Sequence, residues 1–332
     1  MPDNRFFSIS YQNRSQVAQD LSFEITRNSP ILETPKDYTM AVSSFALPTT
    51  EIPIFEAQNP SGDWITLSYG GNDYQQEVVY PTDTNGSREI FNLDSVMATI
   101  NKVFGDLYLL LEAAHPGIVP CSPWMRYQNH LFYLLVPAEF INGTVKIFWN
   151  YHLFQKYKAF DVDFFGFDNA DHKDISFRLI DNGQNLYTYT FNSAVVYPKG
   201  TLPSSWFQLP QFAQANSISD IISIVLTSHS LPIRTLDLAI IGSAQDSPNQ
   251  GTLPIILTYN LDLQQFTVPQ DAGTIIYDAS LYRRIEMMGE NSLTSFGIRV
   301  YFQRRDGSMT PVKLSPGDTF SLTLIFERKK HL

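Results

Sequence analysis

Cysteine is almost missing from this chain: Cys121 stands alone among 332 residues. One thiol can build neither an intramolecular disulfide framework nor an all-thiolate metal site, and the expectation for it is a small buried hydrophobe rather than a reactive group. Charge is sparse too, at 17% of residues, with 23 basic against 33 acidic side chains and a net of −10. Such a chain offers no basic field to phosphates, so no direct nucleic-acid reading is expected. No apolar run approaches the ~18 residues of a membrane span. The opening MPDNRFFSIS lacks the basic-then-apolar form of a signal peptide, and residues 1–36 carry no basic arm. The expectation is synthesis in a cytosol-like compartment.

Signatures of chemistry are missing as well. The histidines at 115, 130, 152, 172, 229 and 331 are scattered, without the H-E-x-x-H or H-x-H spacing that brings two imidazoles to one metal. The run DVDFFGFDNADHKD offers Asp161, Asp163, Asp168, Asp171 and Asp174 to a hard cation. An EF-hand frame fails on it, at Phe165 in the fifth position and at His172 where a bidentate Glu belongs. There is no G-x-S-x-G, no P-loop and no G-x-G-x-x-G. A hydrolase using two carboxylates would need a close acidic pair in a cleft, which a sequence cannot display. No catalytic residue, metal or cofactor is expected.

What the chain has in plenty is aromatic side chains: 24 Phe, 17 Tyr and 4 Trp, 14% of the total. They come in short runs with β-branched residues between Pro, Gly, Asn and Asp, the composition of half-buried strands. Period-two alternation places Leu21, Phe23 and Ile25 on one face, likewise Ile298, Val300 and Phe302, and likewise Phe320, Leu322, Leu324 and Phe326. DIISIVL (220–226) and LPIILTY (253–259) are nearly continuous in apolar character and suit central strands. Asp306-Gly307 predicts a type I′ hairpin turn, Gly70-Gly71 separates WITLSY from YQQEVVY, and Pro311 predicts an edge or a bulge.

One helix is predicted, in FNLDSVMATINKVFG, with Asn92 as N-cap and Gly105 as stop; the following LYLLLEAAH either prolongs it or starts another element, ending in both cases at His115-Pro116-Gly117. The fold class is therefore all-β: an antiparallel jelly-roll or Greek-key sandwich with an inserted β-rich subdomain carrying one short helix. The cleanest alternation lies at both ends. Residues 1–84 plus 216–332 are assigned to the sandwich and 85–215 to the insertion.

Two groups of side chains invite a binding role. Trp124, Trp149 and Trp206 of the middle region either face a ligand, as in a lectin-like or receptor-binding spike, or pack inside; KIFWNYHLF around Trp149 favours packing. The cations Arg283, Arg284, Arg304, Arg305, Arg328, Lys329 and Lys330 either guard solvated sheet edges or meet acidic surfaces on neighbouring subunits.

PILETPKDYTMAVSSFALPTTEIPIF, WITLSYGGNDYQQEVVY with the helix after it, VKIFWNYHLFQKYKAF and the C-terminal LYRRIEMMGENSLTSFGIRVYFQRRDGSMTPVKLSPGDTFSLTLIFERKK follow one another in an order that resembles the penton, or vertex minor capsid, proteins of Polinton-like viruses and virophages. The resemblance implies a non-enzymatic structural protein of the virion. It also implies a jelly roll at the base of a homopentamer on each icosahedral vertex, in contact with the major capsid protein.

Overall fold

A computed structural model describes residues 4–57, 61–81, 89–128, 131–157, 160–168, 175–179, 186–187, 198–203, 206–210, 219–234, 238–241, 251–261, 273–281 and 283–329. The chain divides into two compact units, Met1–Ile52 with Asp220–Leu332, and Pro53–Ser219.

In the first unit, eight strands follow in chain order: β1 (Asn4–Gln12), β2 (Ser22–Thr26), β3 (Tyr38–Pro48), β4 (Ile221–Thr227), β5 (Gly251–Asn260), β6, β7 (Ser295–Arg304) and β8 (Thr319–Arg328). β6 is interrupted: Thr274–Asp278 pairs with the C-terminal half of β3 and Ile285–Met287 with its start. One sheet has the order β1-β8-β3-β6 and the other β2-β7-β4-β5, with every pairing antiparallel. Chain neighbours thus fall in opposite sheets, save β4 and β5, which pair directly, and this is the jelly-roll winding. The short strand Met309–Pro311 pairs with β7 at the edge of its sheet, where Pro311 withholds no needed donor.

The alternation read from the sequence turns one face of each strand inward. Phe23, Ile298, Val300, Phe302, Phe320, Leu322, Leu324 and Phe326 join Met40, Val42, Phe45 and Ile224 in one continuous buried cluster. Rings interlock across the gap. Phe45 lies 5.5 Å from Tyr259, 5.3 Å from Tyr277 and 6.4 Å from Phe320. Phe7 meets Phe296 edge-on at 5.6 Å. Aromatic pairs at such spacing add to the burial energy of their large surfaces.

The second unit lies, in sequence, between β3 and β4. It holds a four-stranded sheet (Leu186–Tyr187, Trp206–Pro210, Leu131–Val136, Trp124–Gln128) and a five-stranded one (Val162–Asp168, Ile175–Leu179, Lys146–Asn150, Trp64–Tyr69, Asn72–Glu77). The hairpin turning at Gly70-Gly71, with φ of +58° and +84°, pairs with Lys146–Asn150. Its contacts therefore lie in this unit, and the division falls after Ile52 where the sequence reading drew it after residue 84.

Helix α1 spans Leu93–Ala114 with His115 as its C-cap, so LYLLLEAA prolongs it, the longer of the two expected courses. Asn92 caps it by accepting from the Asp94 amide at 2.6 Å. Gly105 does not stop it, because apolar residues continue on the buried face through Leu107, Tyr108 and Leu111. Asn101 is buried on that face and pins the helix to the strand beside it: its amide nitrogen donates to the Met125 carbonyl at 2.8 Å, and its oxygen accepts from the Met125 amide at 2.6 Å. Two short helices, Ala138–Ile141 and Tyr151–Lys156, were not predicted.

The Asp306-Gly307 turn also differs from expectation. The Gly307 amide bonds the Arg304 carbonyl and the Arg304 amide the Ser308 carbonyl, both at 2.9 Å, so Arg305 and Asp306 are the central pair and Gly307 follows at φ +86°. This is a three-residue loop with its glycine in the left-handed position.

Because Phe45 touches both sheets, Phe45→Ala is expected to lower stability by about 3–5 kcal/mol, read as a shift of the chemical denaturation midpoint.

Candidate functional site

The structure separates the predicted cations. β8 ends at Arg328, whose register partner is Tyr38 at the start of β3, and Arg283 and Arg284 precede the half of β6 that pairs there. All three arginines are exposed, and Arg284 pairs with Glu327 of β8. Lys329 is half-buried, with its amide on the Asp37 carbonyl at 2.7 Å. Lys330 lies outside the described residues.

Arg304 and Arg305 stand at the opposite end of the sandwich. Phe7, opposite Leu324, reaches Phe296 at the start of β7; Phe45, opposite Leu322, reaches Tyr259, which lies in register with Ile224 and through it with Phe302 near the end of β7. The start of β7 therefore lies under the end of β8. The seven cations do not make one patch.

Arg304 is set apart further, being only 5% exposed. Its guanidinium donates to Asp220 Oδ2 at 2.6 Å and lies over the Phe302 ring. Burial raises the Asp220 carboxyl above its usual range, and Arg304 opposes that shift. This arginine joins β7 to the entry of β4 and is not available to a neighbour. Arg305, on the turn, remains exposed.

The three tryptophans are inside the second unit: Trp124 is 6% exposed, Trp206 1% and Trp149 0%. Trp124 and Trp206 pack with Cys121 and Leu135, and Trp149 meets Tyr157 and Phe160 edge-on. None presents a ring face to a ligand, which corrects the ligand-facing assignment.

Sequence reasoning missed one buried polar group. Asp63 is fully buried and pairs with Lys156, whose ammonium lies over the rings of Phe55 and Tyr80. Burial pushes the Tyr80 and Tyr157 phenols beside it well above their usual value. Asn150 completes the fastening, accepting from the Trp64 amide at 3.0 Å and donating to the Gly62 carbonyl at 2.6 Å. Only the coincidence of Gly62-Asp63 with a later Asn-x₅-Lys hinted at it. The group ties the Tyr151–Lys156 helix to the 61–64 segment. Among the described residues, no cluster of three His, Cys, Asp or Glu could hold a metal. Asp171, Asp174 and His172 lie outside them.

A family described as Sputnik minor capsid protein V18/19 matches residues 89–328. The chain belongs to that family. Among solved structures, a chain of the Sputnik virophage, determined by cryo-EM at 3.5 Å, superposes with a TM-score of 0.76 at 19% identity, covering 99% of each chain. The mavirus penton protein superposes with a TM-score of 0.70 at 18% identity, covering 98% of this chain and 100% of that one. No curated protein matches. As a member of the minor capsid family this chain is a structural component of the virion and not an enzyme. Among the described residues, no helix is long and apolar enough to cross a membrane.

Two outcomes follow from these positions. Arg304→Ala is expected to cost about 2–3 kcal/mol at neutral pH, below the ~3–5 of a fully buried pair because Asp220 is one-third exposed. Denaturation at pH 4 should show a smaller loss, since protonation of Asp220 removes the charge left unpaired. For Cys121, burial and the nearby Glu139 push the thiol up to about 12. Maleimide should leave the native protein unlabelled and label it once in denaturant.

Proposed function

We propose that this minor capsid protein works by geometry, five copies closing a ring at an icosahedral vertex. The observation that carries this reading is the end-to-end likeness of the fold to the mavirus penton protein, joined to membership of the minor capsid family. A ring needs a heterologous contact, in which one flank of each copy meets a different flank of the next. A jelly roll supplies two unlike outer sheet faces for that purpose.

The exposed cations at the end of β8, Arg283, Arg284 and Arg328 with Lys329, are the charged candidates for contact with neighbours, and Arg305 serves the other end. Their partners are acidic surfaces of the adjoining copy or of the major capsid protein that surrounds a vertex. The second unit, with nine basic and sixteen acidic residues, carries −7 of the net −10 and supplies such a surface. The carrier of these roles is the sandwich, into whose sequence the second unit is inserted.

Gel filtration with light scattering is expected to give a particle of five chain masses, alone or with the major capsid protein, and particle imaging a five-fold ring. A strict monomer under all these conditions contradicts the reading. Arg305→Glu with Arg328→Glu should weaken assembly while leaving the melting temperature of the single chain within about 2 °C, the usual scale for exposed substitutions.

A further inference from the structure

Asp63 and Lys156 meet inside the second unit, the carboxyl fully buried and the lysine side chain 25% exposed. The ammonium bonds Oδ2 and lies 5.1 Å from the centre of the Phe55 ring and 5.2 Å from that of Tyr80, so aromatic walls flank the pair. The other carboxyl oxygen, Oδ1, is buried with no hydrogen-bond partner among the described residues. The hydroxyls of Tyr80 and Tyr157, residues 6% and 0% exposed, are buried and unpaired as well. The three groups adjoin: burial and then the Asp63 charge raise the Tyr157 phenol, and burial, Tyr157 and Asp63 raise that of Tyr80. Two idle donors beside an idle acceptor are costly in a core, and a resting ion pair does not account for them.

An amine and a carboxyl held in contact and shielded from water are the reactants of amide formation. Fixed in one site, each sees the other at an effective concentration of about 10⁵–10⁸ M. We propose that Lys156 and Asp63 become joined by an isopeptide bond, Lys156 Nζ to Asp63 Cγ, formed within the folded second unit. The ring-lined site favours passing the shared proton from the ammonium to Oδ2, because a neutral amine and acid are cheaper to bury than two charges. The nitrogen lone pair then attacks Cγ. Negative charge develops on Oδ1, where the Tyr80 and Tyr157 hydroxyls, held protonated by their raised pKa, are the donors at hand. The nitrogen sheds a second proton to the hydroxyl on Cγ, the bond to Oδ2 breaks, and Oδ2 leaves as water. An ammonium and a carboxylate thus become one amide and one water, with no oxidant or cofactor.

The two positions are 93 residues apart, so the bond closes much of the second unit into a covalent loop and fixes the Tyr151–Lys156 helix to the 61–64 segment. Closing a loop of that length removes entropy from the unfolded chain, as a disulfide does. Cys121, standing alone, cannot supply a disulfide within the chain. The bond concerns a single chain and is independent of the vertex reading.

Intact mass spectrometry of the full chain, purified folded and then denatured, tests it. The expected mass is that of the sequence less one water. Trypsin is expected to release a branched peptide in which residues 37–88 are joined through Asp63 to an uncleaved Lys156 within 147–158. A full mass would overturn the inference. So would a lighter chain without the branched peptide, its water having been lost elsewhere, as at Asp306-Gly307. Lys156→Arg keeps the positive charge but has no attacking amine, and should restore the full mass; a chain still lighter by one water would count against the assignment. Should that variant fail to fold, the branched peptide of the unaltered chain still decides. Tyr80→Phe with Tyr157→Phe removes both donors and no hydrogen bond, so the chain should fold but convert slower by on the order of a hundredfold, read as the fraction at full mass over time. Conversion at the unaltered rate would overturn the mechanism.

Discussion

The constraint on which this molecule depends is the pairing of β8 between β1 and β3. One strand from the C-terminal end of the sequence supplies hydrogen bonds to two strands from its beginning, over registers running from Asn4 opposite Glu327 to Tyr38 opposite Arg328. Its inward row, Phe320 to Phe326, then forms the floor on which the aromatic side chains of the opposite sheet rest. A one-residue slip would carry that whole row to the solvent side. Sheet order, core and the placement of cations at the two ends all follow from this register.

The two units answer different demands with the same chemistry. The sandwich keeps charge off the outward positions of β1 from Phe6 to Gln12 and of β8 from Thr319 to Ile325, and draws Arg304 inside to join β7 to β4. The second unit fastens its elements with buried polar side chains, Asn101 to a strand backbone and Lys156 to Asp63 beneath aromatic rings. Such groups are costly to bury unless satisfied, so they specify one arrangement where an apolar contact would accept several.

Much of the fold was legible because strand alternation is a local signal. Leu21 to Ile25, Ile298 to Phe302 and Phe320 to Phe326 each announced their inward face, and Gly70-Gly71 its turn. The end of α1 was legible at His115-Pro116-Gly117, but not whether Gly105 interrupts the helix before it. A glycine stops a helix only where the backbone must turn left-handed, and Gly105 sits instead on the buried side of a helix that Leu107, Tyr108 and Leu111 continue. That Arg304 is buried while Arg305 is exposed was not legible for a related reason. Adjacent residues such as Arg304 and Arg305 point to opposite sides of a strand end, and which one finds Asp220 depends on β4, some 80 residues away. The tryptophans illustrate the same limit: aromatic content predicts burial or display alike until the neighbouring strands are placed.

The insertion between β3 and β4 has a temporal consequence. During synthesis the first three strands emerge and must wait through the whole of Pro53–Ser219, and then through four more strands, before β8 arrives to fill the gap between β1 and β3. Pairings so distant along the polymer close slowly, since the loop entropy is lost before the contacts reward it. Until then β1 and β3 have open edges and no completed flank. The flank built on β8 is therefore completed late in synthesis, and until then the unpaired edges of β1 and β3 are sites where another chain can pair.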